Sequence, residues 1–156
     1  MPLARAASRS RLLWLVALGF FMQTLDATIV NTALPARAQS LGESPLRMQS
    51  VVVAYSLAMA MLIPASGWLA DRFGIRRVYL GAIAAFVLGS VLCALAPRLD
   101  ALVAARVLQG LGAAMMSPQT MAVITRIFPA TQRGAAMGLW GSTAGVATLV
   151  GPVAGG

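Results

Sequence analysis

Gly67-Trp68-Leu69-Ala70-Asp71-Arg72-Phe73-Gly74-Ile75-Arg76-Arg77 decides the fold class of this chain. Four of these eleven residues are charged, in a chain where only 10% are. The stretch lies between two long apolar runs, Met48–Ala70 and Val78–Ala96. Seven residues separate the runs, so the charges sit in a tight, built loop between two membrane-length segments.

The rest of the chain supports a bilayer as its solvent. Of 156 residues 59% are hydrophobic, and the mean hydropathy is +0.81. A soluble domain of this size carries roughly a quarter charged residues. Five segments are long enough to span, at Leu12–Ala33, Met48–Ala70, Val78–Ala96, Leu99–Thr125 and Gly134–Gly156. The expected fold is therefore all-α, a polytopic helix bundle over residues 12–156 behind a short segment, residues 1–11. Pro97-Arg98-Leu99-Asp100 predicts a close hairpin between the third and fourth helices, and Pro129 and Thr131 punctuate the link before the fifth. A cleaved signal peptide is the competing reading of the start, but the first apolar run is long for one and contains Gln23, Asp26 and Asn31. The chain ends at Gly155-Gly156 inside the fifth helix, which suggests a piece of something longer.

All twelve basic residues are arginine, against four acids and no histidine, giving +8. They lie in short links rather than on one stripe, which argues against nucleic acid as a partner. Arg5, Arg9, Arg11, Arg72, Arg76, Arg77, Arg126 and Arg133 fall on one side; Arg37, Arg47 and Arg98 fall on the other. The excess predicts a cytoplasmic N-terminus and a cytoplasmic Gly67–Arg77 loop. Without histidine and with the single Cys93, no catalytic triad or Cys/His metal cluster can form, so neither an enzyme nor a metal site is expected. Cys93 reads as a small buried apolar residue.

Two charges stand inside the spans. Asp26 lies about seven residues before the outer end of the first helix, and Arg106 about six after the outer start of the fourth, so both are roughly 10 Å deep. Each is the other's cheapest partner. One reading is a structural ion pair between the first and fourth helices. The sharper one is a carboxylate whose proton affinity depends on Arg106, as an antiporter requires. Gln109 and Gly110 share the face of Arg106; Gly110 would admit a neighbouring helix closely. Ser117, Pro118, Gln119 and Thr120 form a polar, kinkable stretch of the fourth helix. On the first helix Thr28 and Asn31 lie on a face about 160° from Asp26 and are candidate pathway-lining residues with Gln109 and Gln119. The fifth helix carries Gly138, Gly141, Gly145, Gly151, Pro152, Gly155 and Gly156, a small-residue stripe suited to backbone-to-backbone packing.

Four of these motifs, in order, resemble the major facilitator superfamily. Gly67–Arg77 resembles its signature between the second and third helices. Leu25-Asp26-Ala27-Thr28-Ile29-Val30-Asn31-Thr32-Ala33-Leu34-Pro35 resembles the first-helix signature of the fourteen-helix drug:proton antiporter branch. Arg106-Val107-Leu108-Gln109-Gly110-Leu111-Gly112 resembles the fourth-helix motif, whose arginine is linked to proton coupling. Gly138, Gly151-Pro152 and Gly155-Gly156 resemble the fifth-helix antiporter motif, although Ala147 stands where the pattern usually has glycine. The resemblance implies export of drugs or small organic compounds across a bacterial inner membrane, driven by the proton gradient with no cofactor. It implies proton coupling at Asp26 and Arg106, gating at Gly67, Asp71, Arg72, Gly74, Arg76 and Arg77, and a C-terminal half that this chain lacks. An organic-acid or other metabolite exporter, or a non-transporting truncated module, would fit the same sequence.

Overall fold

The computed structural model describes the backbone of residues 2–155 and the side chains of residues 14–153 other than 123, 126 and 127. Five helices follow one another: α1 (Pro2–Leu41), α2 (Pro45–Phe73), α3 (Ile75–Leu95), α4 (Leu99–Ile127) and α5 (Ala130–Gly155). All five expected helices form, but most are longer than the apolar runs. α1 begins at Pro2, within the stretch expected to precede the bundle, and runs eight residues past Ala33 through Pro35. Hydropathy marks where lipid starts and ends, whereas alanine- and arginine-rich flanks continue a helix at little cost.

The breaks are local and chemically marked. After α1, Gly42 takes φ 66°, and Gly42 N–H and Glu43 N–H donate to Gln39 and Ala38 carbonyls at 3.3 and 3.0 Å, a Schellman stop. Ser44 caps α2 by accepting from Arg47 N–H at 3.3 Å, with Pro45 in the first turn. The expected seven-residue loop after α2 is corrected to a single residue, Gly74, with φ 86° and ψ 138°. Gly74 N–H closes α2 on the Ala70 carbonyl at 2.9 Å, and its own carbonyl accepts from Val78 N–H at 3.2 Å to start α3.

Among the described residues four helices are long and apolar enough to cross a membrane: Trp14–Leu41, Pro45–Phe73, Ile75–Leu95 and Leu99–Ala122. α5 is fully helical but is not among these four, because Gly134, Gly138, Gly141, Ser142, Thr143, Gly145 and Thr148 dilute its hydropathy. α3, with 21 residues, spans about 31 Å at 1.5 Å per residue, the thickness of a bilayer core. Large apolar side chains such as Leu57, Met61, Leu80, Leu88 and Leu95 are exposed, as lipid-facing residues are.

The chain divides into two compact units, Met1–Ile29 with Thr120–Gly156, and Val30–Gln119. In the second unit α4 is the buried member. Gly112 sits on the backbone of α3 at Ala82 and Phe86, and Gln109 on Gly89, so α3 and α4 run antiparallel as the hairpin link predicts. Gly110 meets the Tyr55 carbonyl of α2, and Gln119 reaches the Ser66 carbonyl further along, so α2 and α4 run parallel. One end of this unit is closed by Ala38, Met48, Val51, Ala96, Leu99 and Leu102. There Arg37 donates to the carbonyls of Cys93 and Ala94 at 3.2 and 2.8 Å, satisfying the C-terminal end of α3 and complementing its dipole. In the first unit Phe20 stacks on Trp140 with ring centroids 4.1 Å apart.

Candidate functional site

Arg106 is the strongest chemical feature of the second unit. It lies on α4 and is 3% exposed. An arginine inside a membrane span is expensive and must be held by polar or aromatic partners. One guanidinium nitrogen donates to Gln109 Oε1 at 2.8 Å, one helical turn along the same face. The guanidinium carbon stands 5.6 Å from the ring centroid of Tyr55 on α2, within cation–π range. Gly110 permits this approach: a Cβ there would fall 2.6 Å from the Tyr55 carbonyl oxygen. α2 and α4 approach closely at that contact.

Of the four candidate pathway residues, the structure leaves only Asn31 exposed. Gln109 and Gln119 are 0% and 2% exposed. Gln119 Nε2 donates to the Ser66 carbonyl at 3.1 Å, so it ties α4 to α2. Thr28 donates to Leu25 and Thr24 carbonyls at 2.8 and 3.1 Å and packs against Gly151 of α5. The placement of these three has one cause. An amide or hydroxyl in an apolar bundle is costly without a partner, and the nearest carbonyl or helix supplies one. Asp26 is half-buried on α1 in the first unit.

The Gly67–Arg77 charges are brought together around Gly74. Asp71 and Arg72 occupy the last turn of α2; Arg76 and Arg77 occupy the first turn of α3; all four are exposed. Arg72 lies 5.4 Å from the Trp68 ring and 5.9 Å from the Phe73 ring, which fixes its side chain between two exposed aromatics. Gly67 is exposed, with nothing within 4 Å of a Cβ placed there.

Along the small-residue face of α5, Gly138, Gly141 and Gly145 meet nothing of this chain within 4 Å and Pro152 is exposed; among the described residues of that face Gly151 is the one pressed against a neighbour, Thr28. Ala147, the departure from the expected glycine, is fully buried, so a methyl group is accommodated there. Gly155 ends α5, and Gly156 lies outside the described residues.

Several residues of the site carry no motif. Tyr55 and Ser66 are ordinary members of an apolar helix by sequence. Gly89 sits 2.8 Å from Gln109 when given a Cβ, a notch that nothing in the local sequence announces. Cys93, expected to be a plain apolar filler, places its sulfur 3.7 Å from Gln109 Oε1. Among the described residues no group of three or more His, Cys, Asp or Glu could hold a metal ion.

Comparison with known proteins agrees with this architecture. The chain is 53% identical over all 156 residues to a protein of Serratia proteamaculans provisionally named multidrug resistance protein MdtD. It is 55% identical over 144 residues, 92% of the chain, to the protein of that name from Yersinia enterocolitica, and 56% identical over the same length to that from Cronobacter sakazakii. It spans about a third of the length of these curated relatives, 33% of the first and 31% of the others. Residues 16–156 match the Major Facilitator Superfamily, and the chain, a multi-pass membrane protein, belongs to that superfamily.

Proposed function

We propose that this chain is the helical part of a transporter, not an enzyme, that exports drugs or small organic compounds from the bacterial cytoplasm in exchange for protons. It sits in the inner membrane with its N-terminus in the cytoplasm, in keeping with the arginine excess on that side. The proton gradient is its energy source, and it needs no cofactor. The observation that carries the reading is Arg106: a guanidinium buried inside a span and held by Gln109 and Tyr55, where a charge is costly. Asp26 is its proposed counterpart. Protonation of that carboxylate would remove a charge from the span, and the change in electrostatic energy is what proton binding contributes to helix movement.

The charges around Gly74 are the proposed gate. α3 has no acid in its first turn, where Arg76 and Arg77 oppose the helix dipole, and Asp71 opposes the dipole of α2. Three of the four charges therefore cost local helix stability. A second bundle, the remainder of a transporter of the relatives' length, would give them charge-assisted contacts in one state and not the other.

The test is proton-driven efflux by the full-length transporter in membrane vesicles. Asp26→Asn is expected to abolish export coupled to the proton gradient while the protein still inserts and exchanges cargo. Proton coupling that survives in Asp26→Asn at the wild-type stoichiometry overturns the proposal.

A further inference from the structure

Gln109 is fully buried, and its two ends are unequally used. Its Oε1 accepts from Arg106 at 2.8 Å and from the Cys93 thiol at 3.7 Å. Its Nε2 is buried with no hydrogen-bond partner among the described residues. A carbonyl oxygen has two acceptor sites, and both are occupied here. The orientation of the amide is therefore set by what its oxygen receives. Turned over, it would present N–H donors to a guanidinium and to a thiol.

The backbone brings Cys93 to this position. Gly89 and Cys93 lie one turn apart on the same face of α3. The missing side chain at Gly89 lets α3 close on Gln109, where even a Cβ would fall 2.8 Å from Gln109 Cβ and N. Cys93 is then the next residue on that face to reach the amide. Its own carbonyl is gripped by Arg37 from α1 at 3.2 Å, which fixes the last turn of α3.

We propose that Cys93 is a positioning residue for Arg106. Its S–H donates to Gln109 Oε1, holds the amide in the orientation that receives the guanidinium, and so ties α3 to the coupling arginine on α4. The inference rests on the proton-coupled reading of Arg106 for its functional consequence, but the contact itself can be tested separately.

The experiment uses the full-length protein reconstituted in lipid. The infrared S–H stretching band of Cys93, isolated by subtracting the Cys93→Ser spectrum, is expected at the lowered frequency of a donating thiol. It should shift to a higher frequency in Gln109→Leu. In parallel, Cys93→Ala should slow proton-driven efflux about two- to fivefold, the factor that one weak hydrogen bond of this kind corresponds to. Cys93→Ser, which keeps a donor, should restore the rate, and cargo counterflow without a proton gradient should be unchanged in both variants. A free S–H band in the unmodified protein, wild-type efflux in Cys93→Ala, or equal losses in the alanine and serine variants would each overturn the proposal. If Arg106→Ala leaves proton-driven efflux intact while the band is shifted, the coupling reading fails and the contact stands.

Discussion

Gly89, Gly110 and Gly112 are the positions in the second unit where one added methyl group would collide with backbone. At Gly112 a Cβ would fall 2.7 Å from Phe86 N and 2.8 Å from the Ala82 carbonyl oxygen. Neither atom can swing aside as a flexible side chain could, so α3 and α4 would have to separate. Overpacking of this kind costs about 1–3 kcal/mol. In an open helical position glycine to alanine has the opposite sign, a gain of roughly 0.5–1 kcal/mol. Gly81, on α3 and with nothing within 4 Å, is such a position. Gly112→Ala should therefore lower the thermal midpoint in detergent micelles, while Gly81→Ala holds or raises it. Equal shifts of one sign in the two variants would contradict the close seating of α4.

At the scale of elements, helix type and order were legible, because 20-residue apolar runs have few other uses. Helix ends were less so. Hydropathy stops at Ala33, but α1 continues to Leu41, where Gly42 and the Schellman bonds end it. The charged stretch Asp71–Arg77 looked like a loop because charge interrupts an apolar run; in space, six of its seven residues are helical and Gly74 alone turns the chain. Of the site, Arg106 and Gly110 were readable as a charge and a small residue on one helical face. Tyr55, Gly89 and Cys93 were not, since their roles come from neighbours on other helices that local sequence does not encode. Gly74 tests the turn. Its φ of 86° with ψ 138° lies where residues with a Cβ are strained by roughly 1–3 kcal/mol. Gly74→Ala should destabilise the α2–α3 junction by about that amount, measured as faster proteolysis at the junction. Gly67→Ala, in an open helical position, should leave cleavage at the wild-type rate.

For the whole molecule, the decisive quantity under the proposed function is what the Gly74 junction touches in a protein of its relatives' length. The chain spans about a third of its relatives' length, and alternating access in this superfamily is a movement of two bundles about a central site. Asp71, Arg72, Arg76 and Arg77 are exposed on two helix ends within one turn of Gly74, and Arg72 is held between Trp68 and Phe73. A cluster of both signs is suited to the proposed gate, which requires contacts to a second bundle that form in one arrangement and break in the other. Its one carboxylate, Asp71, is exposed. Removing the charge of Asp71 should thus alter the balance of conformations rather than the binding site. In the full-length protein Asp71→Asn is expected to cut the transport rate at least about tenfold, equivalent to roughly 1.4 kcal/mol of lost preference for one state. Cargo affinity, measured at equilibrium on the purified protein, should stay within about twofold of wild type, less than roughly 0.5 kcal/mol. A folded Asp71→Asn protein that no longer binds cargo would place the residue in the binding site and remove it from the gate.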